Sequence, residues 1–515
     1  MRSSELKILD YLNLKEKIQS IKNSGKKIIH CHGVFDLLHP GHITHLQQAK
    51  GMGDVLVVSI TSARYVNKGP DRPYFNDETR LNTIAALEMV DYVVLSDYPT
   101  AIEAISAIKP DYYVKGMEYS NINNDVTGEI KNEIDEVEKY GGQVRYTEGQ
   151  VFSSTKLINN NFGSYTDATK CYLENISKQY PFEVVRDMIE SFKDLKVLVV
   201  GDVIIDEYVF CDVKGLMSKD RAYSALYKRE DQYLGGVLAV ANHISSFVDN
   251  VTVLSIIGDE TKLHSKILND LANRMHFNFI TDSNFKTPVK RRYIEKHGMR
   301  DEYNKLFSMN FLMDDDEIRR YDRKLFHTNL EECIENFDIV IVTDYGHGIM
   351  DKRAIEIVEK RAKYLAVNAQ TNSTNYGINL ITRYNRADTF TLDQREISLA
   401  FSTNSKDYNE LMLALREKLS GKNAWLTLGS EGCIGVNELN KIDKAPALTL
   451  EVKDTIGAGD AFYAISSLCA ATKLPLEIGS LLGNMAGAIA ANVIGNSKEI
   501  DKVSYLKYLK TILNF

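Results

Sequence analysis

Apolar residues along this chain gather into short runs that close at turn-forming residues, and the runs fall into two series separated by a polar stretch. The first series comprises residues 27–31, 54–60, 92–95, 111–115 and 143–146. The second comprises residues 196–200, 251–257, 289–294, 339–343, 365–368, 424–428 and 433–436. Short, apolar and bounded by turns, they read as buried strands. Helical periodicity separates them at residues 77–89 and 100–109 in the first series, and at 459–471 and 478–493 in the second. Strands alternating with helices predict parallel sheets covered on both faces, hence two α/β domains, the second three-layered.

The stretch 159–180 is rich in Asn, Ser, Thr and Lys and shows no apolar period before Phe182. It predicts a linker over 161–185, between a first domain at 1–160 and a second at 186–515, with a helix over 182–192.

Composition narrows the picture. At 515 residues the chain is too long for one ordinary domain. With 44% hydrophobic and 26% charged residues it is globular in type. A net charge of -8 argues against nucleic acid as the main partner, while phosphates remain possible ligands of helix starts and backbone nests. Six scattered cysteines predict reduced thiols rather than a metal or redox motif. The polar N-terminus and the lack of a long apolar run predict a cytoplasmic protein with no membrane partner.

Chemistry concentrates at two places. The first is Gly33-Val34-Phe35-Asp36-Leu37-Leu38-His39-Pro40-Gly41-His42, directly after the first strand and opening a helix. Unpaired amides at a helix start favour phosphate. His39 and His42 at its mouth can donate to phosphate oxygens, and Gly41 permits close approach of a nucleotide. A strand-to-helix switch is also where open α/β sheets bind ligands.

These residues resemble the GxFDxxHxGH signature of the cytidylyltransferase-like superfamily. Segments 67–73, 76–80, Val114-Lys115-Gly116 and Thr147-Glu148-Gly149 with Ser153-Ser154-Thr155 follow in family order. The resemblance implies a Rossmann-like nucleotidylyltransferase fold, in which a substrate phosphate attacks the α-phosphate of ATP or CTP and releases pyrophosphate. It implies that His39 and His42 stabilise the transition state. Gly33, Phe35, Lys50, Lys68, Arg80, Lys115, Ser154 and Thr155 would meet the nucleotide or its phosphates. The segment between Thr147 and Ser153 is longer than the family's.

The second place is Asp454-Thr455-Ile456-Gly457-Ala458-Gly459-Asp460. Small residues before a helix form an anion-binding nest of amides, here Gly457, Ala458 and Gly459. Asp460 can take a proton from a hydroxyl nucleophile held in line with a phosphoryl group.

From about residue 190 onward the chain resembles the ribokinase (PfkB) family of carbohydrate kinases. Gly201-Asp202 with Asp206 matches its opening motif, Gly235-Gly236 with Asn242 its sugar-site motif, and Thr427, Gly429 and Gly432 its nucleotide-site motif. Asn484 fits the segment beside the adenine. The resemblance implies a three-layer ribokinase-like fold, ATP as phosphoryl donor, and Asp206, Gly235, Gly236 and Asn242 at the acceptor. Asp393 and Glu396 stand where the family has N-x-x-E and would act indirectly on Mg2+.

Two further departures lie near the expected site. His347 replaces a lysine of the heptose kinases, which predicts a pH-dependent charge there. The stretch 367–373 replaces an Asp-Pro-Lys type segment. The chain also resembles the bifunctional heptose-phosphate kinase/adenylyltransferases with the domain order reversed.

Together these features imply a bifunctional enzyme. One domain would phosphorylate a sugar, sugar phosphate or polyol. The other would transfer AMP or CMP to a sugar or polyol phosphate, giving a nucleotide-activated sugar for surface polysaccharide. A homo-oligomer is expected. The alternative is a nucleotidylyltransferase regulated by a catalytically silent, sugar-binding kinase-like domain.

Overall fold

The computed structural model describes residues 4–69, 72–117, 129–148, 165–259, 261–297, 302–372, 375–449 and 452–514. The chain divides into two compact units, Met1–Ser164 with Leu506–Phe515, and Tyr165–Tyr505. No helix among the described residues is long and apolar enough to cross a membrane.

The first unit contains the strands β1 (Ile8–Leu9), β2 (Ile28–Gly33), β3 (Val55–Thr61), β4 (Tyr92–Ser96), β5 (Tyr112–Gly116) and β6 (Gln143–Thr147). They form a parallel sheet in the order β1-β4-β3-β2-β5-β6. The main helices are α1 (Tyr11–Asn23), α2 (Pro40–Lys50), α3 (Asp77–Ala85), α4 (Ile102–Ile108) and α5 (Glu129–Lys139). Ile29 and Leu46 belong to one apolar core, while Ile28, Leu14 and Ile18 belong to another. Alternate residues of one strand thus feed both faces, which is why the strands read as continuous apolar runs. Strand β2 is flanked by β3 and β5, so strand order reverses beside it. A crevice opens at such a switch point, at the carboxyl ends of the strands.

The second unit begins with α6 (Asp167–Gln179) and α7 (Phe182–Glu190), continues through β7 (Lys196–Gly201), β8 (Val203–Leu216), β9 (Tyr223–Gly236), α8 (Val237–Ser245), β10 (Asn250–Ile257), α9 (Thr261–Leu271), β11 (His276–Thr281), β12 (Val289–His297) and β13 (Glu302–Phe311). There follow α10 (Asp315–Arg320), α11 (Lys324–Cys333), β14 (Ile339–Asp344), α12 (Lys352–Arg361), β15 (Leu365–Ala369), β16 (Thr389–Asp393), α13 (Gln394–Ala400) and α14 (Tyr408–Lys418). The last elements are β17 (Asn423–Thr427), β18 (Cys433–Asn437), β19 (Ile442–Ala445), α15 (Ala458–Ala471), α16 (Leu476–Ala490) and α17 (Lys502–Ile512), of which only the residues up to Tyr505 belong to this unit.

Nine strands make one sheet, β11-β10-β7-β14-β15-β16-β17-β18-β19, parallel except where β18 meets its two neighbours. A separate four-stranded sheet runs β13-β12-β8-β9. Its long strands β8 and β9 lay outside the sequence expectation: β9 is exposed and polar over most of its length, and the buried apolar residues of β8 are interrupted by Asp206 and Glu207.

The linker expected over 161–185 is corrected. Residues 167–179 are helical and start at an N-cap, Thr166, whose side chain accepts from the Thr169 amide. Leu173 and Ile176 on that helix are buried. The polar composition belongs to its exposed face. The expected end of the second domain at 515 is corrected too, because Leu506–Phe515 belongs to the first unit.

Candidate active sites

In the first unit β2 ends at Gly33, and Phe35 turns the chain with a φ of 47°. The Phe35 ring packs back over Gly33, where a Cβ would lie 3.1 Å from Cε2. That ring also meets His42 edge-on, with centroids 5.3 Å apart. His39 caps α2: its Nδ1 accepts from the His42 amide at 3.3 Å. This fixes the tautomer, because Nδ1 must be unprotonated to accept. The two imidazoles stack with centroids 3.9 Å apart and planes at 18°. Burial, with the nearby charges of His39 and Lys68, pushes His42 down to about 3. The pair is therefore neutral at pH 7, so anything it offers a ligand is N–H donation rather than charge.

Asp36 ties the loop together. Its carboxylate accepts from the Tyr74 and Phe75 amides, each at 2.9 Å, and pairs with Arg72 at 3.5 Å. Lys68 lies beside this cluster, and burial pushes its ammonium down to about 8.

The expected phosphate ligands do not all gather here. Lys50 is corrected: it ends α2, roughly 15 Å from the helix start at 1.5 Å per residue. Its ammonium is held by Asp91 at 2.5 Å and by the Asp54 carbonyl at 2.6 Å. Arg80 is fully buried. It donates to the carbonyls of Phe75, Val34 and Thr61 at 3.1, 2.7 and 2.8 Å, and to Asp77. Arg80 thereby clamps the loop after β2 onto the end of β3, positioning the loop instead of meeting phosphate. Lys115 pairs with Glu133 at the end of β5. Ser154 and Thr155 lie outside the described residues. One contact went unread in the sequence: His45, nearly one turn beyond His42, bonds Thr147 Oγ1 at 2.7 Å and brings the end of β6 to α2.

In the second unit a cavity of about 310 Å3 collects residues distant in sequence. Asp206, Gly236, Asp393, Glu396, Thr427, Gly457, Gly459 and Asp460 all line it, as the motifs led one to expect. Gly457 has a φ of 85°, and a Cβ there would lie 2.1 Å from Asn496 Oδ1, so only glycine opens α15 in this way. The turn to Gly236 has the same requirement: its φ is 60°, and a Cβ would lie 2.2 Å from the Asp202 carbonyl. Gly235 packs beside the Asp206 carboxylate.

Asp460 Oδ1 accepts from the Tyr345 hydroxyl and from the Gln370 amide, each at 2.8 Å. Burial pushes its carboxyl up to about 6, against those two hydrogen bonds. Two cations face the same cavity, Lys290 and Arg292. Arg292 pairs with Asp206, and burial lowers the Lys290 ammonium. They are alternate residues of β12 and so point to one face. That spacing was the available signal, two bases on one face of an otherwise strand-like run.

Other expectations are corrected. His347 is buried, and burial with Lys290 nearby pushes it down to about 3. It is neutral across the physiological range, so the positive charge of this site comes from β12 instead. Asn242 does not line the cavity; its Oδ1 accepts from Arg274 at 3.3 Å. Asn484 donates to the Cys433 sulfur and to the carbonyls of Ala445 and Pro446. Gly429 and Gly432 shape the turn after β17, with φ of 59° and 98°. Ala458 begins α15.

Residues 30–160 match the cytidylyltransferase-like family model, and residues 194–502 match the model of pfkB family carbohydrate kinases. The chain belongs to the pfkB family of carbohydrate kinases. Among curated proteins it is similar to the bifunctional protein HldE of Campylobacter jejuni, 26% identical over 61% of this chain and 64% of that one. It is also similar to HldE of Trichlorobacter lovleyi, 37% identical over 32% of this chain and 33% of that one. The chain thus spans about a third to two thirds of the length of these relatives. Among solved structures it is similar to ribokinase from Thermotoga maritima, at 17% identity and a TM-score of 0.47 over 61% of this chain and 99% of that one. Phosphofructokinase-2 from Escherichia coli gives 16% and 0.47, over the same shares.

In this pfkB-family chain the carboxylates expected near metal form a capping box on α13. The Glu396 amide donates to Asp393 Oδ1 at 2.8 Å, and the Asp393 amide donates to Glu396 Oε2 at 2.9 Å. Burial and the neighbouring Asp393 charge push the Glu396 carboxyl up to about 8. Two close carboxyls on one cavity wall, one of them reluctant to ionise, fit a divalent cation that relieves their repulsion. Among the described residues no group of three or more His, Cys, Asp and Glu side chains is arranged to hold a metal ion.

Proposed function

We propose that this chain is a bifunctional enzyme that phosphorylates a sugar phosphate with ATP and transfers AMP or CMP to a sugar or polyol phosphate, yielding a nucleotide-activated sugar. The observation that carries the reading is the single cavity holding Asp460, the Gly457–Gly459 nest and the cations Lys290 and Arg292.

The acceptor hydroxyl gives its proton to Asp460 while its oxygen attacks the γ-phosphorus of ATP, the bond from that phosphorus to the β,γ-bridging oxygen breaks, and ADP leaves. Amides at the start of α15 receive the transferring phosphoryl group. Asp206, held by Arg292, accepts from acceptor hydroxyls. With Arg292 already paired to Asp206, Lys290 favours an acceptor that carries a phosphate over a neutral sugar or polyol, because a half-buried cation recovers its lost hydration best against an anion. Asp393 and Glu396 would hold Mg2+ indirectly. When bound, the ion neutralises charge on the nucleotide phosphates.

In the first unit the amides of α2, the paired imidazoles and Lys68 hold the α-phosphoryl group of ATP or CTP. The acceptor phosphate attacks it and pyrophosphate leaves. Positioning and charge stabilisation carry the rate. A cytoplasmic location and surface-polysaccharide synthesis complete the proposal. A homo-oligomer forms through the four-stranded sheet, where Leu216, Tyr223, Tyr227 and Phe307 are exposed. Sedimentation of the unmodified protein as a monomer would remove that last element.

The test offers the protein ATP or CTP with neutral and phosphorylated sugars and reads products by mass spectrometry. A doubly phosphorylated sugar and a nucleotide-linked sugar are expected. Nucleotidyl transfer without any sugar-dependent ATP turnover would favour a silent, sugar-sensing second domain.

A further inference from the structure

The end of the chain lies far in sequence from the nucleotidyl-transfer motifs, yet Leu506–Phe515 belongs to the same compact unit as Met1–Ser164. We infer that Tyr508 is a positioning residue of nucleotidyl transfer, its ring seating the Lys68-Gly69 turn beside His42. The inference rests on the reading of the first unit as a nucleotidylyltransferase.

Three observations support it. Tyr508 is buried, 1% exposed, with Leu509 and Ile512 fully buried on the same segment. Gly69 has a φ of 102°, and a Cβ there would lie 2.0 Å from Tyr508 Cδ2 and 2.4 Å from Cε2. The ring therefore packs directly against the bare glycine Cα, and turn and ring are matched in shape. Thirdly, Lys68 immediately before that glycine stands in a ring of charged groups drawn from several elements. Asp36 comes from the loop after β2, Arg72 from the turn's own loop, Arg80 from α3 and Lys507 from α17. His42 of α2 feels the Lys68 charge in return. Although Arg72 pairs with Asp36 and Arg80 is engaged by carbonyls and Asp77, the balance of charge around Lys68 is positive, which favours an anion as highly charged as a triphosphate. The C-terminal segment contributes both the ring that fixes the turn and one of those cations.

The place where Lys68 sits, next to the glycine against which Tyr508 packs, has a titration signature. Lys68 is pushed down to about 8, chiefly by burial and then by Arg72, Lys507 and Arg80 acting against Asp36. A lowered ammonium loses its proton as pH rises through that value, so phosphate binding weakens there. Opening the site to water returns the lysine toward its ordinary ~10.4.

The experiment uses the full-length chain and its Tyr508→Ala, Tyr508→Phe and Lys507→Gln variants. Nucleotidyl-transfer kcat/KM for the nucleoside triphosphate is measured from about pH 6 to 10, with kinase turnover of the same samples as reference. Tyr508→Ala is expected to raise KM for the triphosphate about ten-fold or more and to move the basic limb upward from near 8. Tyr508→Phe keeps both values, and Lys507→Gln moves the limb upward by less. Kinase turnover is unchanged throughout. An unaltered KM and limb in Tyr508→Ala overturns the inference. Should that chain fail to fold, an unaltered limb in Lys507→Gln overturns it instead. A total lack of nucleotidyl transfer in the unmodified protein would defeat the reading of the site, whereas an active parent with indistinguishable variants defeats only the role of Tyr508.

Discussion

The Tyr345 hydroxyl donates a 2.8 Å hydrogen bond to Asp460 Oδ1, the oxygen that the Gln370 side chain also reaches at 2.8 Å. Two donors on one oxygen stabilise the ionised carboxylate, while burial opposes ionisation and leaves the carboxyl at about 6. With Oδ1 engaged twice, Oδ2 is assigned the proton of the acceptor hydroxyl.

This arrangement sets a pH dependence. A general base works only when ionised, so kinase kcat/KM rises with pH through about 6. Tyr345→Phe removes a donor that favours the charged form, so the acid limb moves to higher pH. The variant therefore loses more activity at pH 6 than at pH 8, read from pH–rate profiles. A limb that stays in place contradicts the role of Tyr345.

Acceptor charge is tested at β12. Hydrogen bonds to charged groups contribute about 1.5–3 kcal/mol, or roughly 10–100-fold in binding. Lys290→Met is expected to raise KM for a sugar phosphate by that factor and to leave KM for its unphosphorylated counterpart nearly unchanged. Equal effects on both would mean that Lys290 does not meet the acceptor's phosphate.

Lys50 and Lys68 separate the sequence reading from the structural one. Lys50→Met leaves nucleotidyl transfer intact and costs no more than about 1 kcal/mol of stability, as for a partly exposed ion pair. Lys68→Met lowers transfer by about 10²-fold or more, as expected when one donor to a developing charge is removed. Transfer rates and thermal melts of both variants check this pair.

Glu396→Gln removes a carboxylate from the wall beside Asp393. Changes to groups that support a metal from outside its direct ligands cost about 10–100-fold in affinity. The Mg2+ concentration giving half-maximal kinase activity should rise accordingly. An unchanged Mg2+ requirement would exclude Glu396 from that role.

Much of this was legible in the chain itself. Buried parallel strands carry continuous apolar runs, and the start of α15 carries glycine where a left-handed, crowded backbone demands it, at Gly457. Motif residues meet in one cavity because Glu396 and Asp460 lie in the first turns of their helices and Asp206 lies near the start of β8, all facing the same space. What stayed hidden depended on distance in sequence or on competing partners. Nothing local marks Arg80 as saturated by three carbonyls, or Lys50 as bound at the wrong end of its helix. Helix α6 hid behind its polar face. Lys290 and Arg292 wore the appearance of solvated strand residues until Asp206 and the cavity were placed beside them.

The central claim is that one chain carries two separate phosphoryl chemistries, and reciprocal ablation tests it most directly. Mass spectrometry would follow products of the His42→Ala and Asp460→Asn chains supplied with both substrates. The account predicts that His42→Ala still forms the phosphorylated sugar without the nucleotide-linked product. Asp460→Asn should still form the nucleotide-linked product from a supplied phosphorylated acceptor, but not the new phosphate ester. Loss of both products together in either folded variant, or of neither, would contradict it.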